Sequence, residues 1–209
     1  MKKEIIPAII VKNQQELYEK INKVKDFAGI LQLDVMDGKF VPNESINFDF
    51  KLPKTDCRFE AHLMVSDPKK WIEKNYSKVD TIIAHIESCS NPKELINDAK
   101  SKGKKIAFSI NPDTKVDEIK NFLGELDQVL VMTVDPGFYG SKFVPSALKK
   151  IREIRKLRPD LNIEVDGSIN PDTIGDVLKA GANMFVVGSF IMKNKDPAKA
   201  IERLKGYLK

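Results

Sequence analysis

Apolar, largely β-branched runs recur about every two dozen residues, at positions 5–11, 29–35, 58–65, 79–85, 105–110, 128–134, 161–165 and 184–187. They read as eight strands. Amphipathic stretches of helical length lie between most of them, at 13–27, 68–76, 92–102, 116–123, 144–157, 171–180 and 197–208. Asp67-Pro68, Asn91-Pro92 and Asn170-Pro171 each place a capping side chain before a first-turn proline, and Gly103 and Gly181 mark helix ends. The connection after the second run, residues 38–53, is long and carries at most a short helix.

Strict alternation of strand and helix implies parallel strands, and eight of them without a break in composition imply closure. The fold expected is α/β, a single (β/α)8 TIM barrel over residues 1–209. The competing architecture, an open doubly wound sheet, calls for a glycine-rich turn after its first strand, and residues 8–12 run into the first helix without a glycine. A length of 209 residues fits one hydrophobic core. The 35 basic and 30 acidic residues are interspersed, so the net charge of +5 reads as solvated helix faces. That balance suits a phosphorylated substrate, whereas nucleic-acid binding needs a clustering that is absent. No apolar stretch is long enough to span a bilayer and no apolar signal core opens the chain, so a cytoplasmic protein without membrane partners is expected. Cys57 and Cys89 are widely spaced and read as reduced thiols.

Barrel chemistry comes from the C-terminal strand ends. The second strand ends in Gln32 and Asp34, the third carries Glu60, His62 and Met64, the fourth ends in His85 and Glu87, and the seventh carries Glu164 and Asp166. Strand alternation puts Gln32 with Asp34, Glu60 with His62, and Glu164 with Asp166 on common faces. Taken singly, Asp34 is an ordinary turn former, His62 and His85 are satisfied core histidines, and Met36, Met64 and Met132 are core filler. Pointed inward together, the carboxylates and an imidazole converge in the barrel mouth, where burial without partners is costly. Glycine and serine then dominate three adjacent strand ends, at Gly137 and Gly140, at Gly167-Ser168 and at Gly188-Ser189. Small residues let main-chain N–H groups approach an anion, so these loops read as a phosphate cradle.

The segments Leu33-Asp34-Val35-Met36-Asp37-Gly38-Lys39-Phe40-Val41-Pro42-Asn43, Ala61-His62-Leu63-Met64-Val65, Val131-Met132-Thr133-Val134-Asp135-Pro136-Gly137-Phe138, Ile163-Glu164-Val165-Asp166-Gly167 and Gly181-Ala182-Asn183 resemble the ribulose-phosphate 3-epimerase family. The resemblance implies metal-assisted 1,1-proton transfer at C3 of a ketopentose 5-phosphate, interconverting D-ribulose 5-phosphate and D-xylulose 5-phosphate. It implies Asp34 and Asp166 as base and acid, exchanging roles with direction. It also implies one divalent metal, usually zinc, on Asp34, His62, Asp166 and the position of Gln32, and an enediolate lined by Met36, Met64 and Met132. Substrate contacts are implied at Ala8, His62, Gly137, Phe138, Tyr139, Gly140, Gly167, Ser168, Gly188 and Ser189. A homo-oligomer is compatible, since family members are often oligomeric.

Four positions depart from the pattern. Gln32 replaces a histidine ligand, and an amide oxygen is a harder and weaker ligand than imidazole, which favours manganese, iron or magnesium relative to zinc. Ala8 replaces a substrate-contacting serine, and Tyr139 and Ser168 replace glycines. Alternatives are a 3-epimerase of a ketohexose 6-phosphate such as allulose 6-phosphate, a lyase or aldolase using Lys39 or Lys142, and a non-catalytic phosphosugar-binding barrel.

Overall fold

Eight parallel strands close on themselves: β1 (Glu4–Ile9), β2 (Ile30–Asp37), β3 (Arg58–Met64), β4 (Thr81–His85), β5 (Lys105–Ile110), β6 (Gln128–Met132), β7 (Asn162–Asp166) and β8 (Met184–Val187). The structure, a computed structural model, describes residues 1–138 and 140–209. Each strand pairs with its successor, and β8 pairs with β1. The pairing of Ala8 with Gln32 between β1 and β2 completes the barrel. The expected (β/α)8 architecture is therefore the one observed.

The helices are α1 (Gln14–Val24), α2 (Pro68–Asn75), α3 (Pro92–Ser101), α4 (Asp117–Lys120), α5 (Ala147–Leu157), α6 (Ile174–Ala180), α7 (Ser189–Met192) and α8 (Pro197–Gly206). Their starts follow from side-chain caps: Asn13, Asp67, Asn91 and Asp196 accept from the main-chain N–H of Glu16, Lys70, Glu94 and Lys199. In α1 the buried stripe is Leu17, Ile21 and Val24, and full burial of a side chain of that size contributes roughly 1.5–3 kcal/mol. Stripes of this kind pack on Leu31, Leu33, Val35 and their counterparts, forming the large outer core between sheet and helices.

One expectation needs correction, and two details add to the rest. Asn170-Pro171 does not open a helix; Asn170 Oδ1 accepts from Asp172 N at 2.8 Å, a local turn that delays α6 to Ile174. The 38–53 connection holds no helix among its described residues. Glu44–Ser45 instead pairs antiparallel with Met36 and Asp37, and Ser45 Oγ accepts from Val11 N at 3.0 Å. The short α7 after β8 was not foreseen.

Inside the barrel, Ile6, Ala8, Ile30, Met184 and Val186 pack as one apolar cluster, and Ile83, Ala107, Leu130, Met132 and Val134 as another. Between them runs a buried polar layer. Glu60, Gln128 and Glu164 lie at its lower level, where Gln128 Nε2 donates to Glu164 Oε2 at 2.5 Å and to Glu60 Oε2 at 3.5 Å. Burial raises both carboxyls, Glu60 to about 7 and Glu164 well above its ordinary range. The pair therefore carries less than its full charge at neutral pH.

The matched Gly181-Ala182-Asn183 segment is a structural clamp on the opposite end of the barrel from the mouth. Arg155 donates to Gly181 O through Nε (3.0 Å) and Nη2 (2.8 Å) and to Leu161 O (2.6 Å), while Asn183 Oδ1 receives Ile163 N (2.9 Å).

Candidate active site

Register alone assembles the centre. Pairing of β2 with β3 sets Asp34 beside His62 and Met36 beside Met64, and pairing of β6 with β7 sets Met132 beside Asp166. Gln32, two residues before Asp34, shares its inward face. The Gln32 amide is the hub: Nε2 donates to Asp34 Oδ1 at 2.7 Å and to Asp166 Oδ2 at 2.8 Å, and lies 3.5 Å from His62 Nδ1. His62 Nδ1 is 3.5 Å from Asp34 Oδ1 and 3.4 Å from Asp166 Oδ2. Two carboxylates from opposite walls thus meet one imidazole.

Electrostatics follow from this geometry. Burial raises Asp34 to about 6, with Asp166 adding to the effect and His62 and Gln32 opposing it. Burial alone pushes His62 down, but hydrogen bonding to Asp166 and Asp34 outweighs it and holds the ring at about 9. Behind it, His62 Nε2 lies 2.8 Å from His85 Nε2, and His85 Nδ1 lies 3.1 Å from Glu87 Oε2. Burial lowers His85 to about 4, so that ring is neutral at physiological pH.

The ligand atoms of Asp34, His62 and Asp166 all lie within 4.8 Å of one another, a cluster compatible with a divalent metal. The fourth position fits as well. Gln32 Oε1 is buried without a hydrogen-bond partner, and a half-turn of the amide aims this oxygen at the cluster. Because His62 is protonated below about 9 and Asp34 below about 6, a cation must displace protons to bind. Metal affinity is therefore expected to rise with pH by up to about tenfold per unit between pH 6 and 9, and to level off above. Metal titrations at three pH values check this; a flat profile would show that His62 does not ligate.

Above this floor opens a cleft lined by Ala8, Asp34, Asp166 and the three methionines Met36, Met64 and Met132, with Gly137, Phe138, Gly140, Gly167, Ser168, Gly188 and Ser189 along its rim. Sequence reasoning named all of these. Tyr139 lies outside the described residues. Gln32 and His62 are wholly buried beneath the cleft. Lys39 and Lys142, the candidate Schiff-base lysines, are exposed and outside it. Asp37 forms a turn, accepting from Lys39 N at 2.9 Å and Phe40 N at 3.0 Å.

Gly167 is required by the packing. Its φ is +125°, and a Cβ there would sit 2.4 Å from Val134 Cγ2. Gly167→Ala is expected to destabilise by roughly 2–5 kcal/mol, combining overpacking with backbone strain. Thermal unfolding measures the loss, and a second change, Val134→Ala, should recover part of it if the clash is real. Ser168 has φ 52°, left-handed but sterically allowed, and its hydroxyl donates to Ser141 O. Sequence reasoning missed Thr133, whose Oγ1 donates to Gly167 O at 2.6 Å and whose N donates to Asp166 O at 2.7 Å, anchoring the end of β7. It also missed that His85 and Glu87 reach the centre, because their partner lies on another strand.

Fold and site define a β/α-barrel isomerase acting on carbohydrate phosphates. The chain belongs to the ribulose-phosphate 3-epimerase family, whose model matches residues 4–192. It is 37% identical to ribulose-phosphate 3-epimerase of Bacillus subtilis (strain 168), over 97% of this chain and 98% of that protein. It is 40% identical to the cytoplasmic isoform of Oryza sativa subsp. japonica, over 84% of this chain and 80% of that one. Among solved structures, 3-hexulose-6-phosphate synthase from Salmonella typhimurium aligns with TM-score 0.69 at 18% identity, covering 98% of both chains. Orotidine 5'-monophosphate decarboxylase from Sulfolobus solfataricus aligns with TM-score 0.68 at 16% identity, covering 100% of both. These two likenesses show the fold alone. No helix among the described residues is long and apolar enough to cross a membrane.

Proposed function

We propose that this chain, acting as one barrel domain in the cytoplasm, interconverts D-ribulose 5-phosphate and D-xylulose 5-phosphate by proton transfer at C3. The observation that carries the reading is the pair Asp34 and Asp166, which reach one centre from β2 and β7 at the floor of a glycine-rimmed cleft. Epimerisation needs a proton removed from one face of C3 and another delivered to the opposite face. Asp34 serves as base toward one epimer while Asp166, protonated, is the donor; the reverse reaction exchanges them. An Asp34 carboxyl raised to about 6 is a better base for a carbon acid than an ordinary aspartate. In the metal-free site Gln32 keeps both carboxylates aimed at one point by donating to each.

The main chain at Gly167-Ser168 and Gly188-Ser189, with Gly137 and Gly140 opposite, receives the substrate phosphate. Met36, Met64 and Met132 wall the reacting carbons with soft apolar surface and exclude water. Ala8 and Phe138 complete the wall. A divalent cation held by Asp34, His62, Asp166 and the turned amide of Gln32 supplies Lewis acidity for the charge that develops on the substrate oxygens. With an amide among the ligands, manganese, iron or magnesium competes better against zinc than in an all-imidazole and carboxylate set.

The test is C3 proton exchange in deuterated water with metal-free protein and with zinc, manganese or magnesium added. Ribulose 5-phosphate should acquire deuterium at C3 and convert to its epimer in at least one metal state. No exchange in any state defeats the proposal, and faster exchange with allulose 6-phosphate moves the substrate to the hexulose class.

A further inference from the structure

The fourth strand end, His85 and Glu87, takes no part in the proton transfers above, yet it is bonded to them in series. Glu87 Oε2 lies 3.1 Å from His85 Nδ1, and His85 Nε2 lies 2.8 Å from His62 Nε2. His62 Nδ1 then faces Asp34 and Asp166. The other Glu87 oxygen is occupied: Oε1 accepts the main-chain N–H of Asn111 at 2.8 Å and the hydroxyl of Thr114. A carboxylate only accepts, so His85 Nδ1 must donate to it. A His62 ring that ligates through Nδ1 keeps its single proton on Nε2, so the 2.8 Å contact is satisfied with His62 Nε2 donating and His85 Nε2 accepting, which the donation of His85 Nδ1 to Glu87 permits. When a cation takes the place of the proton on His62 Nδ1, the lone pair of that nitrogen is the one aimed at the cluster.

We propose that Glu87 and His85 are positioning residues that fix the tautomer of His62, keeping its proton on Nε2 so that Nδ1 is free to ligate a divalent cation. The inference rests on the metal reading of the Asp34, His62 and Asp166 cluster. Outer hydrogen-bond partners of metal-bound histidines generally act this way, and their loss typically lowers metal affinity about 10–100-fold. Here the relay has a polarity that one isosteric change reverses. In Glu87→Gln the Asn111 N–H, a main-chain donor, keeps the amide oxygen on its side and turns the amide NH2 toward His85 Nδ1. His85 must then accept at Nδ1 and carry its proton on Nε2, which pushes the His62 proton onto Nδ1, the ligating atom. Shape and volume are unchanged.

The chain contains only two histidines, and both lie in this relay, so histidine labelled with nitrogen-15 reports on four ring nitrogens in all. In the zinc-loaded protein, His62 Nε2 should be protonated and coupled across the hydrogen bond to an unprotonated His85 Nε2. Zinc and manganese titrations of Glu87→Gln should show affinity lowered by about 10–100-fold, with normal thermal unfolding. An unprotonated His62 Nε2 in the unaltered protein overturns the proposal, whether or not the variant folds. So does equal metal affinity in the two proteins, or no metal binding by the unaltered one. Neither measurement uses turnover, so failure of C3 exchange with these results intact would count against the epimerase reading and spare the relay.

Discussion

Asp166→Asn is expected to lower epimerisation by about 10²–10⁴-fold while leaving half of the reaction alive. Asp34 remains able to lift the C3 proton of ribulose 5-phosphate and to return a deuteron from solvent to the same face. The variant should therefore exchange ribulose 5-phosphate in deuterated water without inverting it, and leave xylulose 5-phosphate untouched. Asp34→Asn should show the mirror image. Each carboxylate also belongs to the metal cluster, so metal content must be matched before rates are compared. Nuclear magnetic resonance of C3 with each epimer in turn separates the two faces. If either variant exchanged both epimers, the assignment of one face to each aspartate would be wrong.

The second large effect concerns the hub. Gln32→His is expected to raise zinc affinity by about two orders of magnitude, ~2.7 kcal/mol, because an imidazole nitrogen replaces an amide oxygen as ligand. Manganese and magnesium, which prefer oxygen donors, should gain far less, so the zinc-to-manganese preference shifts by a similar factor. Competition titrations with the two ions measure it. An unchanged preference would mean that residue 32 serves only to hold Asp34 and Asp166 through its amide NH2, as the 2.7 and 2.8 Å bonds allow without any turn of the side chain.

Much of this architecture was legible in the sequence because it follows from local periodicity. Eight apolar runs and the caps at Asp67 and Asn91 were read correctly, since each depends on residues within one turn of itself. Asn170-Pro171 has the same signature and fails, because Asn170 satisfies Asp172 N and its own side chain reaches Ser168 O at 3.0 Å, which fixes a turn. The inward convergence of Gln32, Asp34, His62 and Asp166 followed from alternation within strands, and register between strands completed it. What stayed hidden was side-chain contact between neighbouring strands. Gln128 bonding Glu164, Thr133 anchoring Gly167 and His85 meeting His62 join residues 23 to 36 positions apart, and no local pattern announces them.

The layer of Glu60, Gln128 and Glu164 also bears on how the protein would respond to selection for heat resistance. Glu60 Oε1 and Glu164 Oε1 are buried without partners, so apolar residues of matching volume at this level would make a more stable barrel. Glu164 nevertheless stands in the electrostatic field of Asp34 and Asp166, and Glu60 in that of His62. Durability and turnover are set against each other one storey below the reacting carbon, and a thermophilic lineage would have to find its extra stability in the outer helices instead.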